Sequence, residues 1–244
     1  MPRTSRRPSV TKATVGLLTA GALAFSLAAC SSSSDSGGHN TAPVHRENAE
    51  RADEASGESS PAETPLATIP ALTAGVDTQV AVDEGFVDAL TSLGLAPAPV
   101  GSASFTDGTF SFPITGGNVT YYDPATKVRP YVQGELDHDG SGLSLTAGDK
   151  KVELKDFVID PGNNSHVSGD VYLNGKSVVK GANLFRLDGS TLNPVTKEGD
   201  AYILEGTTVY VSEDAAALLN KTFGTDAVTG DLKVGIAKLT VTGK

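Results

Sequence analysis

The sequence predicts a mainly β domain, either an antiparallel sandwich or a partly open barrel, with two short helices. Three observations carry that expectation. Apolar and polar residues alternate with period two in several runs, pairs such as Asn-Gly, Asp-Gly and Gly-Gly separate the runs, and the chain holds 27 glycines among 244 residues but no tryptophan. Period-two alternation is what a strand with one buried face requires, and glycine-bearing turns join such strands antiparallel.

The N-terminus follows a different pattern. Arg3, Arg6, Arg7 and Lys12 form a basic stretch without an acid, and Ala13 to Leu27 is apolar and uncharged. That stretch is too short to span a bilayer comfortably and has the length and flanks of a secretory signal. It ends in Leu27-Ala28-Ala29-Cys30, which resembles the bacterial lipobox. The resemblance implies that residues 1–29 are a signal peptide and that Cys30, the only cysteine in the chain, is lipidated. Ser5-Arg6-Arg7 leaves both the general secretory and the twin-arginine route open. The expected location is the extracytoplasmic face of the cell membrane, with the lipid as the membrane contact.

Residues 30–66 read as the lipidated cysteine and a disordered tether. Between Ser31 and Pro65 there is no Phe, Tyr, Ile or Leu, and serine, alanine and glutamate are the commonest residues. Such a segment cannot bury enough apolar surface to offset its ordering entropy. His39 and His45 fall here and read as solvated linker residues. Loss of residues 1–29 removes four cations and no anion, taking the formal charge from −10 to −14. An acidic chain repels phosphate backbones, so nucleic acid is not an expected partner.

Residues 67–244 have the length of a single β-rich domain. Lys151 to Lys155 alternates and runs into Phe157-Val158-Ile159. Val171 and Leu173 alternate with Asp170 and Asn174, and Leu232, Val234 and Ile236 alternate until the phase slips to Leu239 and Val241, as a bulge requires. Expected turns are Gly116-Gly117, Asp139-Gly140, Asn174-Gly175, Asp188-Gly189 and Gly199-Asp200, with Asn174-Gly175 the strongest hairpin signal. Two helices interrupt the pattern. Glu84 to Leu93 places Phe86, Val87, Leu90 and Leu93 on one face behind Asp83 as N-cap. Glu213 to Phe223 places Ala215, Ala216, Leu219 and Phe223 on one face behind Ser212 as N-cap. The preceding segments, Thr78 to Glu84 and Thr207 to Glu213, match in pattern, which suggests an internal duplication or one strand-cap-helix motif used twice to close the sheet.

Signatures of catalysis are missing. There is no Gly-x-Ser-x-Gly elbow, phosphate-binding loop, His-Glu-x-x-His or Cys-x-x-Cys. Asp137-His138-Asp139-Gly140-Ser141-Gly142 is the densest polar cluster. Asp137 and Asp139 are candidate ligands for a hard cation, since carboxylates neutralise it and glycine permits the turn; a plain hairpin tip is the other reading. Pro161 to His166 reads as a loop between strands. Tyr121, Tyr122 and His138 are the candidate ligand-binding residues, and no resident cofactor is expected.

The run Gly108-Thr109-Phe110-Ser111-Phe112-Pro113, then Gly117-Asn118-Val119, Gly134-Glu135-Leu136, His138, Gly142 to Leu145 and Val152 to Asp160, resembles the β-rich core of secreted actinobacterial HtaA-type domains. That resemblance implies an envelope β domain and, for haem-binding members, a tyrosine near the start of the domain. The corresponding region here, Val82 to Leu93, has neither tyrosine nor tryptophan. The expected function is therefore a lipid-anchored envelope protein with a non-enzymatic binding or structural β domain, its protein or wall-polymer partner unknown. Capture of a small ligand of the haem type, with Tyr121, Tyr122, Tyr131, His138 and His166 as the available axial ligands, is the alternative, and an extracytoplasmic hydrolase a weaker one. Cys30→Ser should release the protein from the membrane fraction or leave it unprocessed. Normal processing with continued membrane retention would overturn the anchor assignment.

Overall fold

A strand with one apolar face must have that face covered, and a chain without a second sheet can cover it by curling the first or by packing helices against it. The computed structural model describes residues 63–72 and 76–242. Cys30, expected to carry the lipid, the expected signal peptide and most of the expected tether lie outside the described residues. The described chain runs β1 (Ala67–Ile69), β2 (Asp77–Val82), α1 (Glu84–Ser92), β3 (Ala96–Gly101), β4 (Ser104–Thr106), β5 (Thr109–Pro113) and β6 (Gly116–Tyr121). It continues with β7 (Val132–Ala147), β8 (Lys150–Asp160), β9 (His166–Leu173), β10 (Lys176–Asp188) and a 3-10 turn (Gly189–Thr191). Then follow β11 (Thr196–Glu198), β12 (Ala201–Val211), α2 (Glu213–Phe223) and β13 (Lys233–Thr242).

All thirteen strands belong to one antiparallel sheet, ordered β1-β6-β7-β8-β9-β10-β12-β13-β2-β5-β4, with β3 on β7 and β11 on β12. Of the two arrangements left open by the sequence, the curled, partly open barrel is the one adopted. The inner face carries the core: Val152, Leu154, Phe157 and Ile159 of β8, Val167 and Val171 of β9, and Val209 and Val211 of β12 are all buried.

The two strand-cap-helix units sit on either side of β13, since β12 and β2 both pair with it antiparallel. β2 and β12 therefore run in the same direction, and α1 and α2 leave the sheet from the same end. Asp83 caps α1 by accepting from the Gly85 N–H, and Ser212 caps α2 by accepting from the Ala215 N–H. Lys233 Nζ lies 2.8 Å from the Asp83 carboxylate and, with the capping bond, holds it below the usual carboxylate range. Phe86 and Leu90 of α1 join Ala215, Ala216 and Leu219 of α2 in the main hydrophobic cluster, so both helices close one end of the curl. Val87, expected on the apolar face, is instead 46% exposed, and α1 ends a residue earlier than expected, with Leu93 as its C-cap.

Turn chemistry sorts into true turns and bulges. Asn174-Gly175 joins β9 to β10 with φ of 49° and 77°, the left-handed pair that a tight hairpin of this type needs. Asp139-Gly140, by contrast, is not a hairpin tip. It lies inside β7, the longest strand at 16 residues, where the register to β8 slips between His138 and Gly142. Gly116-Gly117 likewise falls within β6 rather than between strands. The slip in β13 comes earlier than the apolar pattern suggests. It falls at Val234, between Lys233 and Gly235, so Ala237 and Val241 are buried beyond it, Ile236 is only half-buried, and Leu232 precedes the strand.

Gly142 marks the far side of the β7 bulge. A Cβ there would lie 2.1 Å from the Leu154 carbonyl oxygen, a backbone atom that cannot step aside. Gly142→Ala should therefore destabilise the domain by roughly 1–3 kcal/mol, the usual cost of overpacking a well-packed site. A urea midpoint equal to that of the unsubstituted protein would show that the strands are not so closely apposed.

Candidate functional site

The curl does not close on a filled core. Between its walls lies a cavity of about 460 Å³. Thr78 and Val80 of β2 and Phe110 and Phe112 of β5 form one wall, and His138 of β7 and Phe157 of β8 face them. Val209 of β12 and Val234, Ala237 and Leu239 of β13 complete the floor. Tyr131, Pro161, Ser165, Ser190 and Leu192, all half-buried or exposed, line the cavity where the β6–β7 and β8–β9 connections approach the 3-10 turn. None of the lining residues carries a charge.

Aromatic rings define the interior. Phe110 and Phe112 stack at 5.9 Å, Phe112 meets Phe157 edge-on at 5.3 Å, and Phe157 meets Phe185 edge-on at 6.0 Å. These are favoured geometries for ring quadrupoles. They link β5 through β8 to β10 across the concave face.

One polar pair spans the same space. His138 is 1% exposed and Thr78 is 4% exposed, and the His138 Nε2 to Thr78 Oγ1 distance is 2.8 Å. The other ring nitrogen, Nδ1, lies 3.3 Å from the Phe157 carbonyl oxygen. A carbonyl oxygen only accepts, so Nδ1 carries the ring proton, Nε2 is the acceptor and the Thr78 hydroxyl donates to it. Burial pushes the His138 pKa down to about 4, against smaller opposing effects from the Phe157 and Leu136 carbonyls and from Asp139. The imidazole is therefore neutral at ordinary pH.

Of the candidate ligand residues read from the sequence, His138 and Tyr131 line the cavity. Tyr121 is 3% exposed, with its ring edge-on to Tyr131 at 6.1 Å and its Oη accepting from the Val195 N–H at 3.4 Å. Tyr122 is half-buried, bonded to Tyr131 through its backbone, and does not line the cavity. Asp137 and Asp139 alternate with His138 along β7 and so face away from the cavity; Gly116 packs against the Asp137 carboxylate, and the Asp139 N–H donates to Thr115 Oγ1. Among the described residues no group of three or more His, Cys, Asp or Glu is placed to hold a metal ion. His166 begins β9 at the end of the Pro161–Ser165 loop, with Nδ1 on the Asn164 carbonyl.

The lining does not fit a ligand set for haem iron. Both His138 nitrogens are engaged within the protein. Tyr131 is the one tyrosine lining the cavity, and its hydroxyl donates to the Gly189 carbonyl at 3.2 Å. Burial, and then the neighbouring Tyr121, raise the Tyr131 pKa above the ordinary phenol value despite Arg129, which disfavours the phenolate that iron would require. Thr78 and Phe157 were not singled out as a site by their sequence. Thr78 carried the one available signal, a hydroxyl in phase with Val80 and Val82 on the inward face of a strand.

No protein-family model and no curated protein matches the chain. Among solved structures, the chain is similar to the crystal structure of the C-terminal domain of HtaA from Corynebacterium glutamicum. Identity is 15%, the TM-score is 0.47, and the match covers 69% of this chain and 98% of that one. A domain-swapped dimer of a histidine-to-alanine variant of that domain matches at 14% identity and a TM-score of 0.43, over 65% of this chain and 90% of that one.

His138 makes stability pH-dependent with a definite sign. Its folded pKa, about 4, lies below the ordinary histidine value of 6.5. The unfolded chain therefore takes up a proton that the folded one refuses. The contribution is fully present above pH 6.5 and is lost as pH falls toward 4, amounting to at most about 3 kcal/mol. His138→Gln should flatten the stability profile between pH 7 and 4 relative to the unsubstituted protein. Parallel profiles would show that the imidazole is solvated.

Proposed function

We propose that this chain is a lipid-anchored, extracytoplasmic binding protein whose curled sheet captures a small, largely apolar molecule. The cavity carries this reading. Native interiors hold few voids larger than a water molecule, and an apolar cavity near 150 Å³ already binds small aromatic molecules. The space here, about 460 Å³, is roughly three times that size. Packing alone would not maintain such a space, whereas a binding function would. The volume lies within the range of small-molecule sites, and the apolar lining with a few placed polar groups is their usual composition.

The site holds its one buried histidine neutral and bonded on both sides, within a lining that carries no charge. That arrangement suits binding rather than turnover. Among the described residues no helix is long and apolar enough to cross a membrane, so in this reading the attachment is the lipid on Cys30.

Titration with an environment-sensitive apolar fluorophore should give a saturable signal with one site per chain. Ala237→Phe should fill part of the cavity and weaken that binding by tenfold or more, while leaving the melting temperature unchanged or higher. Binding that is unsaturable, or unaffected by Ala237→Phe, would place the ligand elsewhere or remove it.

A further inference from the structure

The polar pair in the cavity has a fixed direction, and that direction selects a ligand. The Phe157 carbonyl can only accept, so it holds the proton of His138 on Nδ1. With Nε2 left as an acceptor, the Thr78 hydroxyl must point its hydrogen at the ring, 2.8 Å away. The hydroxyl donor is then spent, and what Thr78 Oγ1 offers the cavity is lone pairs. Reversing the pair would place the Nε2 proton against Thr78 and leave an unprotonated Nδ1 facing the Phe157 oxygen, two acceptors in contact within a buried site.

We infer that the ligand class is an uncharged, mostly hydrocarbon alcohol whose O–H donates to Thr78 Oγ1, and that Thr78 is the residue that determines this specificity. The inference rests on the capture reading above. Charge is excluded from the buried part of the ligand because no lining residue could neutralise it. A carbonyl or ether oxygen at the same place would meet an acceptor and gain nothing. An aliphatic or polycyclic alcohol and a phenol share the required chemistry, and the space bounded by Phe110, Phe112 and Phe157 admits either a chain or a flat ring.

Competition against the bound fluorophore tests this with matched probes: decan-1-ol against 1-methoxydecane, and 2-naphthol against 2-methoxynaphthalene. The unsubstituted protein should prefer each alcohol over its methyl ether by about fivefold to tenfold, the worth of one net hydrogen bond. The pair that shows the larger preference identifies chain or ring as the shape accepted. Thr78→Val should abolish the preference by weakening the alcohol alone, and Thr78→Ser should restore it. Equal affinity for alcohol and ether in the unsubstituted protein, or a preference that survives Thr78→Val, would overturn the inference while leaving cavity capture intact. Failure of all four probes to displace the fluorophore would overturn both. Imidazole ¹⁵N shifts of His138 provide a check that needs no substitution: a proton on Nδ1 is required, and a proton on Nε2 would overturn the inference.

Discussion

The thirteen described strands lie in one sheet, which leaves a single concave face to protect, and everything else follows from how that face is covered. A second sheet would have supplied a matching layer of side chains. Here the sheet curls until β2 and β5 look across at β7 and β8, and two helices that leave β2 and β12 in the same direction close one end. The walls meet through rings, as Phe112 and Phe157 do at 5.3 Å, and through the Thr78–His138 bond at 2.8 Å. Between these contacts the curvature of the sheet keeps the walls apart, and the cavity is what remains.

The β7 bulge places the strut. His138 is the last residue in register with β8 before the slip that ends at Gly142. The slip bends β7 so that its first half pairs with β6 and its second half with β3. Leu143 and Leu145 then return to the same concave face as His138. A glycine-rich run that reads as a loop thus becomes the bend in the longest strand, and this bend aims an imidazole inward while Asp137 and Asp139 face out.

Polarity within the cavity is set by atoms with no freedom to change roles. The Phe157 carbonyl is held in the sheet, the imidazole answers it, and the Thr78 hydroxyl answers the imidazole. Desolvation keeps the ring uncharged, so the site carries this oriented pair without a charge inside it. Each link is an ordinary hydrogen bond. The selectivity comes from their order.

The strand and helix content was legible in the sequence because it depends on local physics. Lys151 to Lys155 alternates because β8 has one wet and one dry face. Asp83 and Ser212 stand before apolar helical faces because exposed N–H groups need acceptors. Asn174-Gly175 takes left-handed dihedrals at little cost. What the sequence could not convey depended on which strands become opposite walls. Thr78 and His138 are 60 residues apart, and no spacing rule joins them. Tyr121 and Tyr122 drew attention as polar aromatics, yet only the curl of the sheet decides that Tyr121 is spent on Val195 and that Tyr131 reaches the cavity. The sequence by itself determined the mainly β class, the two capped helices and the apolar character of the inner face, since period, capping and turn geometry act over a few residues. The tertiary structure alone decided that one sheet curls rather than two sheets stack, that a cavity survives inside it, and which hydroxyl and imidazole meet there, because those outcomes follow from pairing between strands distant in the chain.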